Sequence, residues 1–160
     1  MHREDDRVVE VLLVEDNAAD VRLLSEALSE IGGRFRLNVV TNGEQAVDYV
    51  FRRGDFHLAT RPDLILLDFN LPCKNGAEVL EEIKREPEFK HIPVVVLTSS
   101  RSEHDVMSAY AHGANCYLRK PTTLDQIYDL ARTLTHHWFE LAVLPSRDLI
   151  TASQIQSCAV

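Results

Sequence analysis

The sequence predicts an α/β fold, a parallel sheet of five strands with helices on both faces. Three observations carry this. Short apolar runs such as Val11-Leu12-Leu13-Val14, Leu64-Ile65-Leu66-Leu67 and Val94-Val95-Val96-Leu97 are bounded by turn residues, the signature of strands buried on both faces. Segments with apolar residues at helical spacing lie between them. The two patterns alternate through five units, which is what repeated right-handed βα crossovers produce.

The first strand is expected over residues 8–14. Asn17 is placed to cap a helix over 18–31, where Val21, Leu24, Leu28 and Ile31 recur at helical spacing and Gly32-Gly33 supplies the stop. A second strand covers 35–41, with Leu37 and Val39 on one face. Asn42-Gly43 turns the chain into a helix over 44–53 that directs Ala46, Val47 and Val50 inward. Arg61-Pro62 precedes a third strand at 63–68. A loop over 69–75, containing Leu71-Pro72, leads to a third helix at 77–85 that buries Val79, Leu80 and Ile83. His91-Ile92-Pro93 introduces a fourth strand at 94–98, and a fourth helix over 102–112 ends at Gly113. The fifth strand is 115–119. Thr123-x-x-Gln126 has the form of a capping box and opens a fifth helix to about residue 141. Periodicity leaves the strand order open between the Rossmann-type and flavodoxin-type arrangements. Residues 1–141 are expected to form one domain. Over 142–160 the pattern lapses, Pro145 breaks any helix, and the segment is expected to be an arm or tail with no separate output domain.

Composition narrows the functional classes. Of 160 residues, 45% are hydrophobic and 26% charged, enough for an ordinary buried core. A formal net charge of −8 argues against non-specific nucleic-acid binding, which Lys and Arg drive. No apolar stretch approaches the roughly 20 residues of a membrane span. The first seven residues are charged and lack a signal-peptide apolar region, so a cytoplasmic protein is expected. Cys73, Cys116 and Cys158 are far apart without a CxxC pair, which argues against a zinc site or disulfide framework. The adjacent His136-His137 would point its rings about 100° apart on a helix, a poor chelating pair.

The ends of the apolar runs carry the chemistry. The first runs into Glu15-Asp16, the third into Asp68, the fourth ends at Thr98, and the fifth runs into Lys120-Pro121. Open α/β sheets keep their sites at the carboxyl edge, where these groups would meet. A phosphate-binding loop is missing after the first strand. Glu15-Asp16-Asn17-Ala18-Ala19-Asp20 has no glycine and three acids, so it would repel a nucleotide phosphate unless a cation lay between. Three gathered carboxylates call for a hard divalent cation with oxygen ligands, and Mg²⁺ is expected. Asp68 then reads as a nucleophile in phosphoryl transfer, Lys120 as a compact charge for phosphoryl oxygens, and Thr98 as a hydroxyl at the same edge. A single strand-end Asp commonly just caps the next helix. The joint placement at four strand ends favours the functional reading.

These residues, together with Leu66-Leu67-Asp68-Phe69-Asn70-Leu71-Pro72, Gly76 and Thr98-Ser99, make residues 7–137 resemble a response-regulator receiver domain of two-component signalling. More narrowly, the chain is similar to stand-alone regulators that partner phytochrome histidine kinases. This rests on Lys74-Asn75-Gly76, Ile92-Pro93-Val94-Val95-Val96-Leu97-Thr98, Asn115-Cys116-Tyr117-Leu118 and Trp138-Phe139-Glu140-Leu141. The resemblance implies a flavodoxin-like (βα)5 sheet in the order 2-1-3-4-5. It implies that Asp68 accepts a phosphoryl group from a sensor histidine kinase, such as a bacterial phytochrome. It implies Mg²⁺ held by Glu15, Asp16, Asp68 and the backbone carbonyl of Asn70. Thr98 and Tyr117 fall at its two switch positions, Thr98 moving toward the phosphoryl group and Tyr117 rotating inward. Lys120 would pair with the acyl phosphate, and the Lys120–Pro121 bond would be cis. Asn70 and Ser100 stand where the family tunes phosphoryl lifetime.

About 20 residues follow the fifth helix, too few for a DNA-binding domain, so the expected output is protein–protein interaction. Ile127, Ala131, Leu134, Trp138 and Leu141 recur at coiled-coil-like spacing. Leu124, Ile127 and Ala131 are expected to face inward. Residues beyond about Leu134 are expected to overrun the domain body and expose Trp138, Phe139, Leu141, Val143 and Leu144. A homodimer through the fourth helix, fifth strand and fifth helix is the expected assembly, with Ile127, Leu134, Trp138 and Phe139 at its interface. The arm folding back on its own subunit is the alternative. Rival functions are a chemotaxis-type receiver with a different target, a receiver that binds without phosphorylation, and a haloacid-dehalogenase-type phosphatase. The last needs a second Asp two positions after the nucleophile, where this chain has Asn70.

Overall fold

The computed structural model describes residues 7–147. Five strands run parallel in the order β2-β1-β3-β4-β5: β1 Val9–Val14, β2 Phe35–Val40, β3 Leu64–Leu67, β4 Val94–Thr98 and β5 Cys116–Arg119. Between and after them lie α1 Ala18–Ile31, α2 Gly43–Phe51, α3 Gly76–Arg85, α4 Glu103–Ala111 and α5 Leu124–Leu134, with a short 3₁₀ turn at Gly54–Phe56. The order is the flavodoxin-like one, with β1 and β3 adjacent in the register Leu13↔Leu66 and Val14↔Leu67. That adjacency brings the residues after Val14 and Leu67 to the same point of the sheet edge.

Strand side chains alternate between two cores. Leu12, Val14, Ile65, Leu67, Val94 and Val96 pack under α2, α3 and α4. Val11, Leu13, Leu64, Leu66, Val95 and Leu97 pack under α1 and α5. Both faces are covered, so the central strands read as unbroken apolar runs. β2 is an edge strand with a mixed pattern. Phe35 and Leu37 join the α1/α5 core, while Val39 on the same face is 40% exposed near the strand end.

Helix starts follow their caps. The side-chain oxygen of Asn17 accepts from the Ala19 and Asp20 amides, and those of Asn42 and Asn75 accept from Gln45 and Glu78. The Thr123 box closes only halfway. Thr123 Oγ1 accepts from Gln126 N at 3.2 Å, but Gln126 Oε1 takes the Thr122 amide instead, capping one residue upstream. Gly43 starts α2 because a Cβ there would stand 1.9 Å from the Lys74 carbonyl oxygen.

The C-terminal end departs from expectation. The α-helix stops at Leu134 and continues as a π-helical segment, Thr135–Leu141. The segment does not overrun the domain. Phe139 stacks on Phe35 of β2 with centroids 5.0 Å apart, and Trp138, Phe139 and Leu144 pack on the α1/α5 core. The proposed interface set is corrected accordingly. Leu134 is 1% exposed and belongs to the core, while Ile127, Trp138 and Phe139 are half-buried against the same core of their own chain, which removes part of their apolar surface from water. Leu124, expected inward, is 59% exposed because the helix rotates Ile127, Ala131 and Leu134 onto the sheet. Of the arm, Leu141 and Val143 remain exposed.

Residues 142–147 fold back to the amino edge of the sheet. Arg7 donates to the Pro145 carbonyl at 3.0 Å, and Arg147 donates to the Val8 carbonyl at 3.3 Å and pairs with buried Asp63 at 3.5 Å. The rest of the expected tail, with Cys158, lies outside the described residues. Cys73 is exposed and Cys116 half-buried; burial raises the Cys116 thiol. His136 pairs with Glu140 and His137 packs edge-on to Trp138, so the two do not converge. Among the described residues no helix is long and apolar enough to cross a membrane.

Candidate functional site: an acidic pocket around Asp68

The turns after β1, β3, β4 and β5 assemble the site. Asp68 follows β3 directly, and its amide donates to the Val14 carbonyl at 3.0 Å, which locks it beside the end of β1. Glu15 is held in the same way, its amide donating to the Val40 carbonyl at 3.0 Å. One carboxylate oxygen each of Glu15, Asp16 and Asp68 lie within 4.8 Å of one another; Glu15 and Asp68 are buried and Asp16 is exposed. Gly76 lets α3 start against this turn. A Cβ there would lie 2.5 Å from Phe69 Cδ1 and 2.9 Å from the Asp68 carbonyl oxygen.

Lys120 closes the pocket. Its amide donates to the Thr98 carbonyl at 2.8 Å, fixing the β5 end beside β4. Its Nζ lies 2.5 Å from Glu15 Oε2, 3.0 Å from Asp68 Oδ2 and 3.0 Å from Asp20 Oδ2. Asp68 Oδ1 accepts the Asn70 amide at 3.2 Å. Burial pushes the Glu15 carboxyl up to about 7 and the Asp68 charge adds to this, against hydrogen bonds from Lys120 and the Asn17 amide. Burial alone would lower the Lys120 ammonium. Hydrogen bonds to Glu15, Asp20 and Asp68 outweigh it and hold Lys120 above its ordinary value.

Thr98 is fully buried, its hydroxyl accepting from Asn70 Nδ2 at 3.5 Å and from the Ser100 amide at 3.4 Å. Tyr117 lies on the α2–α4 side, edge-on to Phe69 with centroids 6.4 Å apart, and its hydroxyl donates to the Ser100 carbonyl at 3.3 Å. Thr98, Ser100 and Tyr117 are thus linked through one loop. The Lys120–Pro121 bond is corrected to trans, since the described chain has no cis peptide bond. Trans is the lower-energy state of an X–Pro bond, and Lys120 reaches all three acids from it.

Asp20 was missed as a Lys120 partner. It lies one helical turn beyond Asp16, and only its place among the three acids after β1 hinted at a role. The donor set is all oxygen, two carboxylates are buried, and a single half-buried ammonium is shared among Glu15, Asp20 and Asp68. These residues fit a divalent cation with hard oxygen ligands.

The chain's relatives carry the same fold. The profile described as Response regulator receiver domain matches residues 11–132. The chain is 42% identical over 136 residues to Response regulator Rcp1 of Synechocystis sp., covering 85% of this chain and 92% of that protein. Among solved structures it is similar to the Mn²⁺-bound form of response regulator Rcp1, with a TM-score of 0.82, 41% identity and coverage of 86% of this chain and 99% of that one. It is also similar to the phosphorylated cyanobacterial phytochrome response regulator RcpA, with a TM-score of 0.83, 43% identity and coverage of 87% and 99%. With a family match over most of its length and relatives aligned nearly end to end, the chain belongs to the response regulator receiver domain family.

Proposed function

We propose that this protein accepts a phosphoryl group on Asp68 from the phosphohistidine of a sensor kinase and signals through protein–protein interaction. The observation that supports this most is Lys120 Nζ standing 3.0 Å from Asp68 inside a pocket of three convergent carboxylates. An Asp68 carboxylate oxygen attacks phosphorus, a P–O bond forms, and the P–N bond to the kinase histidine breaks, returning the electron pair to the imidazole. Glu15, Asp16, Asp68 and the Asn70 carbonyl would hold Mg²⁺, which when bound neutralises the carboxylates and the phosphoryl oxygens. Lys120 keeps its place at Asp68 and pairs with a phosphoryl oxygen. The Thr98 hydroxyl turns from Asn70 and Ser100 toward that group, and Tyr117 follows through its bond to Ser100. In this reading the protein catalyses only its own phosphorylation and dephosphorylation, in the cytoplasm, with no nucleic-acid or membrane partner.

The likeness to Rcp1 and RcpA supports a phytochrome-type kinase as the donor. Phosphotransfer from a purified autophosphorylated phytochrome-type kinase should outpace transfer from a chemotaxis-type kinase by at least tenfold; the reverse preference would move the protein to another pathway.

A homodimer through α4, β5 and α5 remains our reading of the output. It rests on Met107, 71% exposed, with Tyr110 and Leu124 exposed on the same elements, rather than on Leu134 and Phe139. Light scattering over a concentration series, with Mg²⁺ alone and with beryllofluoride as phosphoryl mimic, tests it. A shift in mass that vanishes in Asp68→Asn is expected. An unresponsive mass would place the output on a different protein.

A further inference from the structure

At the edge of the sheet opposite Asp68, a cleft of about 580 Å³ opens between the end of α2, the residues before β3 and the segment after α3. Small-molecule sites commonly span roughly 300–1,000 Å³. Its charged lining is Arg52, Arg53, Arg61 and Arg147 against Glu86 and Glu88, an excess of positive charge on a chain whose net charge is −8. Arg147 is already paired with Asp63. Among the described residues, no carboxylate makes an ion-pair contact with Arg52, Arg53 or Arg61.

Three further observations distinguish this cluster from a solvated surface. Arg61 Nε is buried without a hydrogen-bond partner, although Arg61 Nη2 donates to the Glu88 carbonyl. Burial works against the Arg61 charge, Glu88 and Asp63 favour it, and the neighbouring Arg52 opposes it. Arg52 occupies the left-handed cap of α2 at φ 54°, a position that favours glycine. Holding an arginine there has a backbone cost, which such outliers tend to carry at functional sites.

Shape indicates the ligand. Phe51 and Phe89 pack with centroids 4.9 Å apart. Arg53 sits over Phe51 at 4.6 Å and Arg61 over Phe89 at 5.3 Å. Guanidiniums fixed on aromatic rings keep their N–H edges for phosphate oxygens and offer planar faces on which a base can stack. Inorganic phosphate alone would use neither the volume nor the stacking surface.

We propose that this cleft is a second ligand site, separate from the Asp68 pocket, for a nucleoside diphosphate or triphosphate, with Arg52, Arg53 and Arg61 holding the phosphates and the arginine-covered Phe51–Phe89 pair holding the base. The test is calorimetric titration of the full chain with ADP in EDTA, so that no divalent metal can bridge phosphate to the acidic pocket. Amide NMR shifts locate the binding. Saturable binding is expected, with shifts at residues 50–61 and 86–90. Affinity should fall at least tenfold in Arg52→Ala/Arg53→Ala and stay unchanged in Asp68→Asn. Arg61→Ala should weaken it further; because Arg61 also packs on Phe89, the exposed double variant is the decisive one. No saturable binding, binding undiminished in the double variant, or equal affinity for inorganic pyrophosphate or hexaglutamate would each overturn the proposal.

Discussion

At Glu15, a carboxyl that must be ionised to bind a cation is held in surroundings that favour its protonated form. Its pKa is raised from 4.5 to about 7 by burial. Between those values the folded protein keeps a proton that the unfolded chain has released, so unfolding free energy falls as pH rises through that window. Urea denaturation of the metal-free protein from pH 4 to 8 should show this decline, and Glu15→Gln should flatten it. Lys120 acts in the same direction in a higher window: its raised pKa gives a stabilisation that is full below its unfolded value and lost only at strongly alkaline pH. Most of the site was legible at this scale, because Glu15, Asp16, Asp68, Thr98 and Lys120 each terminate an apolar run and a parallel sheet aligns such ends. Asp20 was not, because its meeting with Lys120 depends on helix pitch and on a strand 100 residues away.

At the scale of elements, capping and apolar spacing placed α1 and β4 with the bounds observed and the other strands and helices within two residues of theirs, the far end of α5 excepted. The exception is instructive. A stripe at Ile127, Leu134 and Trp138 fits a continuous helix that carries its rings past the domain. The chain instead loosens to a π-helical segment, a form often found where packing imposes a special demand. Here that demand is the Phe139–Phe35 stack. Phe139→Ala should therefore destabilise the fold by roughly 1.5 kcal/mol, about half the figure for a fully buried ring, measured by urea unfolding. A loss of dimer with unchanged monomer stability would restore Phe139 to an interface.

At the scale of the whole molecule, two edges of opposite charge share one sheet. The carboxyl edge gathers acids around Lys120, and the amino edge gathers arginines around two phenylalanines. Periodicity could not order the strands, since it reports burial and not neighbours; the family resemblance supplied the order that the structure shows. On the reading that the acidic edge holds Mg²⁺, global stability depends on metal. At a Mg²⁺ concentration about 100 times its dissociation constant, the gain is about 2.7 kcal/mol, or roughly 5–10 °C in Tm for a chain of this size. Calorimetry should find that rise in the wild type and a much smaller one in Glu15→Gln/Asp16→Asn.

The most direct test is the intact mass of the protein after incubation with acetyl phosphate. Our reading predicts the addition of one phosphoryl group in Mg²⁺, none in EDTA and none in Asp68→Asn. A wild type that stays unmodified in Mg²⁺, or an Asp68→Asn variant that is modified to the same extent, would contradict the assignment of Asp68 as the phosphoacceptor.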